Sequence, residues 1–472
     1  MNRTSYSLNQ LKGFFSPRHI AIVGATPNNQ WFGNIVANAI EAGFDGRFYP
    51  VNPRVDEIYG VRAYKSIAEL PDGVIDCAIL IVKSHLVYSV IRELRGKHIN
   101  NILLVSSGFS EMGEEGKDKQ DEIRKYCTDH RIVLMGPNCL GFINLPEKIS
   151  VFSGRAVEGE LIPGSIGVVG QSGATSEVIV TKILRKGLGI SLYVTTGNEA
   201  MILAEDCLEY LVHDEHTKVI AGFIEEFRDV EKLKRVACDA AAMKIPLIML
   251  KVGRSDRGRK AALSHTGALA GNDRVLEGLF AQYGIIRVDS IEEMVETAVI
   301  FSRCPIPGGP GLGICTFSGG LCGLYADLCD KYGILLPPLQ EKTIARLKKH
   351  LPEFAVPGNP LDVTGAGFLH GMSETIHALL DDENLDVVAP VCIPPRGADD
   401  VFAAVINESF LPLMDTITKP IVPITFREMT DYGRDFFHKK EFYYIEHAEY
   451  GLKAISHLMK YAEFLRRKEE NR

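Results

Sequence analysis

The fold class this sequence predicts is three successive α/β domains with mainly parallel sheets, and three observations predict it. Short apolar runs rich in β-branched residues recur along the chain, and most end at a glycine or a polar turn. Helix-like segments separate them, which is the pattern of parallel strands joined by crossover helices. The length of 472 residues exceeds one ordinary core, and a chain of that size divides into roughly two to four domains.

The first domain, 1–146, opens with "HIAIVGA" (19–25) and continues through "GRFYPVN" (46–52), "CAILIV" (77–82), "NILLVSS" (101–107) and "RIVLMG" (131–136). Between these strands lie the helix-like "GNIVANAIEAG" (33–43) and "HLVYSVIRELRGKH" (85–98). After "GPNCLGFINLP" (136–146) a Gly- and Pro-bearing connection runs over 144–165. The second domain, 147–304, repeats the rhythm with "SIGVVGQSG" (165–173), "ISLYVTTGN" (190–198), "VIAGFIEE" (219–226) and "PLIMLKVG" (246–253). "CPIPGGPG" (304–311) cannot continue a helix and marks the sharper boundary. The third domain, 305–472, carries "GLGICTFSGG" (311–320), "LDVVAPVCI" (385–393), "KPIVPIT" (419–425) and a charge-rich helical tail over 449–470. In sheets of this kind ligands sit at the carboxyl ends of the strands, so the strand-end loops are where chemistry is sought.

Composition narrows the function classes. With 46% hydrophobic and 24% charged residues, the chain is expected to be a soluble globular protein. A net charge of −8 disfavours a nucleic-acid partner, which needs a basic surface. No apolar run is long enough for a membrane span, and "MNRTSYSLNQLKGFFSPRH" lacks a signal-peptide core. The ten cysteines form no C-x-x-C. Cys315, Cys322 and Cys329, seven apart, read as packing along a strand and its helix, and a cytoplasmic protein with reduced thiols is expected.

Three glycine turns stand at strand ends. In "AIVGATPNNQWFGNIV" (21–36), Gly24, Ala25 and Thr26 lead into a helix start suited to a phosphate, although the full G-x-G-x-x-G is absent. A dinucleotide site wants an acid at the end of the second strand, where Asn52 and Pro53 stand instead. That counts against NAD and favours a nucleotide such as coenzyme A. "VVGQSGATSEV" places Ser172 and Gly173 at a second helix start, and "ICTFSGGLCG" places Gly319 and Gly320 at a third. Helix starts offer free N–H groups and a partial positive charge. Two of them facing each other would hold one phosphoryl group from both sides. Each turn taken alone has a bland reading as a βα connection.

"AALSHTGALAGND" (261–273) sets His265 among small residues, which allow a phosphate to approach closely. A histidine attacks phosphorus through one ring nitrogen when a carboxylate fixes the other. Glu225 and Glu226 end an apolar strand in the same domain; alternation lets only one face the site, and the pattern does not choose between them.

Together these elements resemble the alpha subunit of the NDP-forming acyl-CoA synthetases, and more distantly that of succinyl-CoA synthetase. "VGAT", "YPVNP" and "GPNCLG" resemble the CoA-binding domain; "QSG", "GN" (197–198), "FIEE" and "KVGRSDRGRKAALSHTGALAG" (251–271) resemble the next; "GNPLDVTG" (358–365) and the Ser-Gly-Gly turn resemble the third. The resemblance implies a Rossmann-like CoA-binding domain followed by two flavodoxin-like succinyl-CoA-ligase-type domains. It implies that His265 carries phosphate and that Glu225 is its partner. It further implies that Ser172, Gly173, Gly319 and Gly320 bind the phosphoryl group, and that Gly24, Ala25, Thr26 and Asn52 border coenzyme A. Two departures stand out: Lys83 in "IVKS", where the family has proline after valine, and Phe317, where a polar residue is common before the Ser-Gly-Gly turn. No ATP-grasp region is found, so an ATP-grasp beta-type partner holding Mg²⁺ with ATP or ADP is expected, in a hetero-oligomer acting on a small carboxylic acid or its acyl-CoA. The rival expectations are CoA-dependent acyl transfer or thioester hydrolysis without nucleotide, and a non-catalytic CoA-sensing subunit.

Overall fold

A computed structural model describes residues 6–155, 160–258, 273–414 and 419–470. The chain divides into two compact units, Met1–Val288 and Asp289–Arg472.

The first unit holds two larger sheets and a two-stranded ribbon of Glu57–Ile58 with Val61–Arg62. In the first, strands run in the order Arg47–Val51, His19–Val23, Cys77–Leu80, Asn101–Leu104, Val133–Met135, all parallel. Tyr64 extends this edge through a parallel bridge to Val51, so the spatial order by sequence is that of a Rossmann sheet. The central strands are buried on both faces, which is why they read as continuous apolar runs rather than alternating ones.

The second sheet orders Ile286–Arg287, Leu247–Lys251, Val219–Ile224, Pro163–Gly170 and Ile190–Thr195 in parallel. That is the flavodoxin-like arrangement, with its switch point between Pro163–Gly170 and Val219–Ile224. Two further strands with no signature in the sequence, Gly141–Asn144 and Ile149–Ser150, add to it antiparallel. Gly141 makes this possible: its φ is +100°, and a Cβ there would stand 2.2 Å from the Val151 carbonyl oxygen.

Helix Leu8–Phe15, capped reciprocally by Ser7 and Gln10, also docks on this second sheet. Phe15 lies edge-on to Phe142, with centroids 5.1 Å apart, and Asn144 Nδ2 donates to the Phe15 carbonyl at 3.0 Å. Burying each such ring contributes roughly 2–3 kcal/mol.

The second unit has one parallel sheet, ordered Leu361–Asp362, Leu312–Thr316, Val387–Cys392, Ile424–Thr425, Ile445–Glu446, again flavodoxin-like. Residues 289–304, read from the sequence as the end of the second domain, group with this unit. Their helix, Ile291–Arg303, is tied to helix Ala448–Glu470 by Glu293, whose carboxylate meets Lys453 at 3.0 Å and His457 at 2.8 Å. Cys315 and Cys329 are buried on the strand and helix as expected, and all ten cysteines are free thiols. Among the described residues no helix is long and apolar enough to cross a membrane.

Candidate functional site

The first glycine turn is built for close approach. Gly24 has φ +92°, and a Cβ there would stand 2.8 Å from Val82 Cγ1 and 3.0 Å from the Ile81 carbonyl oxygen. Only glycine passes between these strand ends. Asn52 is buried, and its Nδ2 donates to the Ala25 carbonyl at 2.6 Å while its Oδ1 accepts from Arg54 N at 2.8 Å. The amide therefore shapes the turn where a dinucleotide site would place an acid. Thr26 Oγ1 accepts from Asn28 N at 3.3 Å, and Asn29 caps helix Gln30–Glu41. Lys83 is exposed at the cap of helix Ser84–Gly96, next to this turn's neighbour strand.

The carboxyl ends of the two sheets in this unit are strapped together. Asn198 N donates to the Pro137 carbonyl at 2.9 Å, and Ala200 N to the Gly136 carbonyl at 2.9 Å. Gly197 has φ +62°, and a Cβ there would stand 2.4 Å from the Pro137 oxygen. Asn198 Nδ2 also reaches Gln120 Oε1 at 3.1 Å and Glu111 Oε2 at 2.5 Å. Glu111 is held below the usual carboxylate range: burial opposes this, and the Asn198 amide and the backbone N–H groups of Gly108 and Phe109 outweigh it.

At the switch point of the second sheet, Ser172 caps helix Gly173–Arg185 without a side-chain bond to the helix N–H groups. Its hydroxyl donates instead to Thr175 Oγ1 at 3.1 Å. Gly170 admits the helix: a Cβ there would fall 1.6 Å from Ser176 Oγ. On the adjacent strand end Glu225 is buried, while Glu226 is half-buried with its carboxylate 3.9 Å from Arg228 Nε. Lys251, at the next strand end, is buried, and its ammonium donates to the Val252 carbonyl at 2.6 Å. Burial and the nearby Arg287 lower its pKa, against the pull of Asp273, Glu226 and Glu225.

Three further side chains, Gln171, Glu199 and Glu205, hold this strand end. Gln171 Oε1 accepts from Glu225 N at 2.6 Å and Glu226 N at 2.9 Å, and its Nε2 donates to the Glu226 carbonyl at 2.7 Å and to Glu199 Oε1 at 2.9 Å. Glu199 Oε1 also accepts from Thr196 Oγ1 and Ala204 N, each at 2.9 Å, and its Oε2 lies 3.0 Å from Arg228 Nε. Burial raises the Glu199 pKa, against the Arg228 charge and these hydrogen bonds. Glu205 Oε1 accepts from Asp229 N at 2.7 Å, and burial together with the charge of Glu199 pushes Glu205 up to about 8. The only signal in the sequence was position: Gln171 sits between a strand-end glycine and a helix cap, and Glu199 follows "GN".

In the second unit, Gly319 and Gly320 open helix Gly319–Tyr332, exposed, with Ser318 as a cap that makes no side-chain bond. A Cβ at Gly319 would stand 3.3 Å from Asp362 Oδ2. Phe317 turns into an aromatic cluster, 5.2 Å from Phe368 and 5.1 Å from Phe426 between centroids.

Within the first unit, then, Ser172, Gly173 and Glu225 stand at neighbouring strand ends, and Gly24, Ala25, Thr26 and Asn52 form one turn. Gly319 and Gly320 belong to the other unit. His265 lies outside the described residues. Among the described residues no group of three or more side chains could hold a metal ion.

Comparison with known proteins places these features. The family model described as a CoA binding domain matches residues 18–144, and that of the succinyl-CoA ligase like flavodoxin domain matches 163–301. The chain is 35% identical to the alpha subunit of ADP-forming acetate–CoA ligase II from Pyrococcus furiosus, over 82% of this chain and 83% of that one. It is 34% identical to ADP-forming acetate–CoA ligase I from Archaeoglobus fulgidus, over 84% of this chain and 56% of that protein. The solved structure of a dinucleotide-forming acetyl-coenzyme A synthetase 1 from Ca. Korarchaeum cryptofilum, in complex with phosphate and ADP, superposes with a TM-score of 0.86 at 26% identity, covering 98% of this chain and 99% of that one.

Proposed function

The chain belongs to the alpha subunits of the ADP-forming acyl-CoA synthetases, and from that premise we propose that it interconverts acyl-CoA plus phosphate with acid plus CoA through a phosphohistidine at His265. The observation that carries this reading is the buried Glu225 at the strand end beside the helix start Ser172–Gly173. A carboxylate there would fix the far nitrogen of an imidazole and stabilise the cation formed as the near nitrogen takes phosphate.

A phosphate oxygen attacks the thioester carbonyl, the C–S bond breaks, and CoA leaves with the proton that phosphate gives up. His265 then attacks phosphorus of the acyl phosphate, the P–O bond breaks, and the carboxylate departs. The phosphoryl group finally passes to ADP, which an ATP-grasp beta-type partner holds with Mg²⁺. N–H groups at the helix start Ser172–Gly173 stabilise the transferring group, and the helix start Gly319–Gly320 in the third domain is a second phosphate-binding turn. Gly24, Ala25, Thr26 and Asn52 fit a CoA site, because the turn needs glycine for close approach and spends no acid on a ribose. In this reading 1–146 binds CoA, 147–304 carries the histidine, and 305–472 supplies the second helix start.

Labelling with radioactive phosphate in the presence of acetyl-CoA tests the proposal. The full chain is expected to gain acid-labile, alkali-stable label that His265→Asn abolishes. Label persisting on the His265→Asn chain rules out the assignment. CoA-dependent turnover with no label at all favours nucleotide-free acyl transfer or thioester hydrolysis.

A further inference from the structure

The two carboxylate-bearing residues at the switch point are not fixed by the sheet alone. The paired register of Pro163–Gly170 with Val219–Ile224 ends at Gly170 opposite Phe223, and Gln171 N makes one more bond, to the Phe223 carbonyl at 3.1 Å. Beyond it, a side chain replaces the ladder. Gln171 spends both N–H donors and both acceptor sites of its amide, three of the four bonds going to the backbone of Glu225 and Glu226. Glu199 adds the fourth bond and holds the amide the same way round, since only the Nε2 end can donate to a carboxylate.

This arrangement is expensive for a purely structural device. It keeps a fully buried carboxylate in the interior, set against Arg228, where an apolar pair would hold the fold as well or better. What it supplies is geometry at one point, and the same turn carries the helix start at Ser172–Gly173. We propose that Gln171 and Glu199 are positioning residues for phosphoryl transfer: Gln171 fixes the backbone from which the Glu225 carboxylate projects, and Glu199 fixes Gln171. The inference rests on the phosphohistidine reading.

The test uses the full chain, acetyl-CoA and radioactive phosphate. In Gln171→Glu the introduced carboxylate keeps both acceptor bonds to the N–H groups of Glu225 and Glu226. It loses the donors to the Glu226 carbonyl and to Glu199, and it adds a charge facing Glu199. Protonation restores one donor, and burial and the facing Glu199 raise the pH at which it occurs. A misplacement of about 1 Å costs on the order of 100-fold in rate, so labelling at pH 8 is expected to slow by about that factor. Relative to wild type it is expected to recover in part as the pH falls and the introduced carboxylate takes up a proton. Glu199→Gln, which keeps an acceptor for Gln171 but removes the charge, is expected to slow labelling about tenfold at every pH. CoA affinity by calorimetry should stay within about twofold of wild type in both. Wild-type labelling rates in Glu199→Gln or in Gln171→Glu overturn the proposal. So does parallel loss of CoA binding in both variants, which marks a general structural role. A wild-type chain that takes no label overturns the phosphohistidine reading itself, and that result is visible before any variant is made.

Discussion

At the scale of single residues, the pair Glu225 and Glu226 separates by environment. Glu225 is buried, whereas Glu226 is half-buried and leans toward Arg228. If Glu225 orients the ring of His265, Glu225→Gln should slow phosphorylation by about a thousandfold, equivalent to about 4 kcal/mol of transition-state stabilisation. Glu226→Gln should cost less than about tenfold. Single-turnover labelling of the two variants decides the matter, and the reverse ranking would put the wrong strand face at the site. Glu205 gives a prediction of a different kind. Its folded pKa is raised from 4.5 to about 8, so the native state binds a proton that the unfolded chain releases. Its contribution to stability is complete below about 4.5, declines across the interval, and is gone above about 8. Each pH unit in that window takes up to ~1.4 kcal/mol from stability. Glu205→Gln should flatten the dependence by one proton, as measured by denaturant unfolding between pH 5 and about 8; an unchanged slope shows that Glu205 is ionised in the native state.

At the scale of elements, the turns after the first strand of each sheet are where sequence and fold coincide most closely. "HIAIVGA", "SIGVVGQSG" and "GLGICTFSGG" were legible because a run of buried β-branched residues ending in glycine has few other readings. Gly24→Ala puts a methyl group against Val82 and the Ile81 carbonyl, at a φ that favours glycine. CoA affinity by calorimetry is expected to fall at least tenfold with the second sheet undisturbed, and retention of wild-type affinity removes that turn from the site. Other elements gave no sign. Leu361–Asp362, Ile445–Glu446 and Ile286–Arg287 are two-residue strands, too short to show any periodicity, and they are placed by the sheet they join. Ile149–Ser150 lies inside the connection 144–165 with no pattern of its own, and Gly141–Asn144 is set by a long-range partner, Ile190–Thr195. Glu199 and Glu205 escaped notice for a similar reason: a carboxylate on a helix approach looks solvated until tertiary packing buries it. His265 was conspicuous in the sequence by its small neighbours, and it lies outside the described residues.

At the scale of the whole molecule, what matters is the inventory. Each of the three larger sheets has a glycine turn after its first parallel strand, which the proposed function assigns to CoA or phosphate, and the sequence contains no G-x-x-x-x-G-K-[ST]. The chain spans most of a relative named as a subunit and little more than half of a relative named as a whole ligase. On that inventory the proposed function gives this chain the acyl phosphate half of the reaction and the phosphoryl carrier, and gives a partner the nucleotide half. Phosphorylation by acyl-CoA and phosphate should then proceed with this chain alone, because His265, Glu225 and Ser172–Gly173 lie in one chain. Release of ADP from ATP should not, because the phosphoryl group on His265 has no bound nucleotide to exchange with. Supplying a separately encoded ATP-grasp subunit should restore ATP-dependent acyl-CoA formation and also drain pre-formed label from the chain when ADP is present. The drain is the more demanding measurement, since it follows one phosphoryl group from His265 to the nucleotide. If the purified chain, free of any co-purifying subunit, sustains acyl-CoA formation from ATP, then it contains a nucleotide site of its own and the division of labour argued here is wrong.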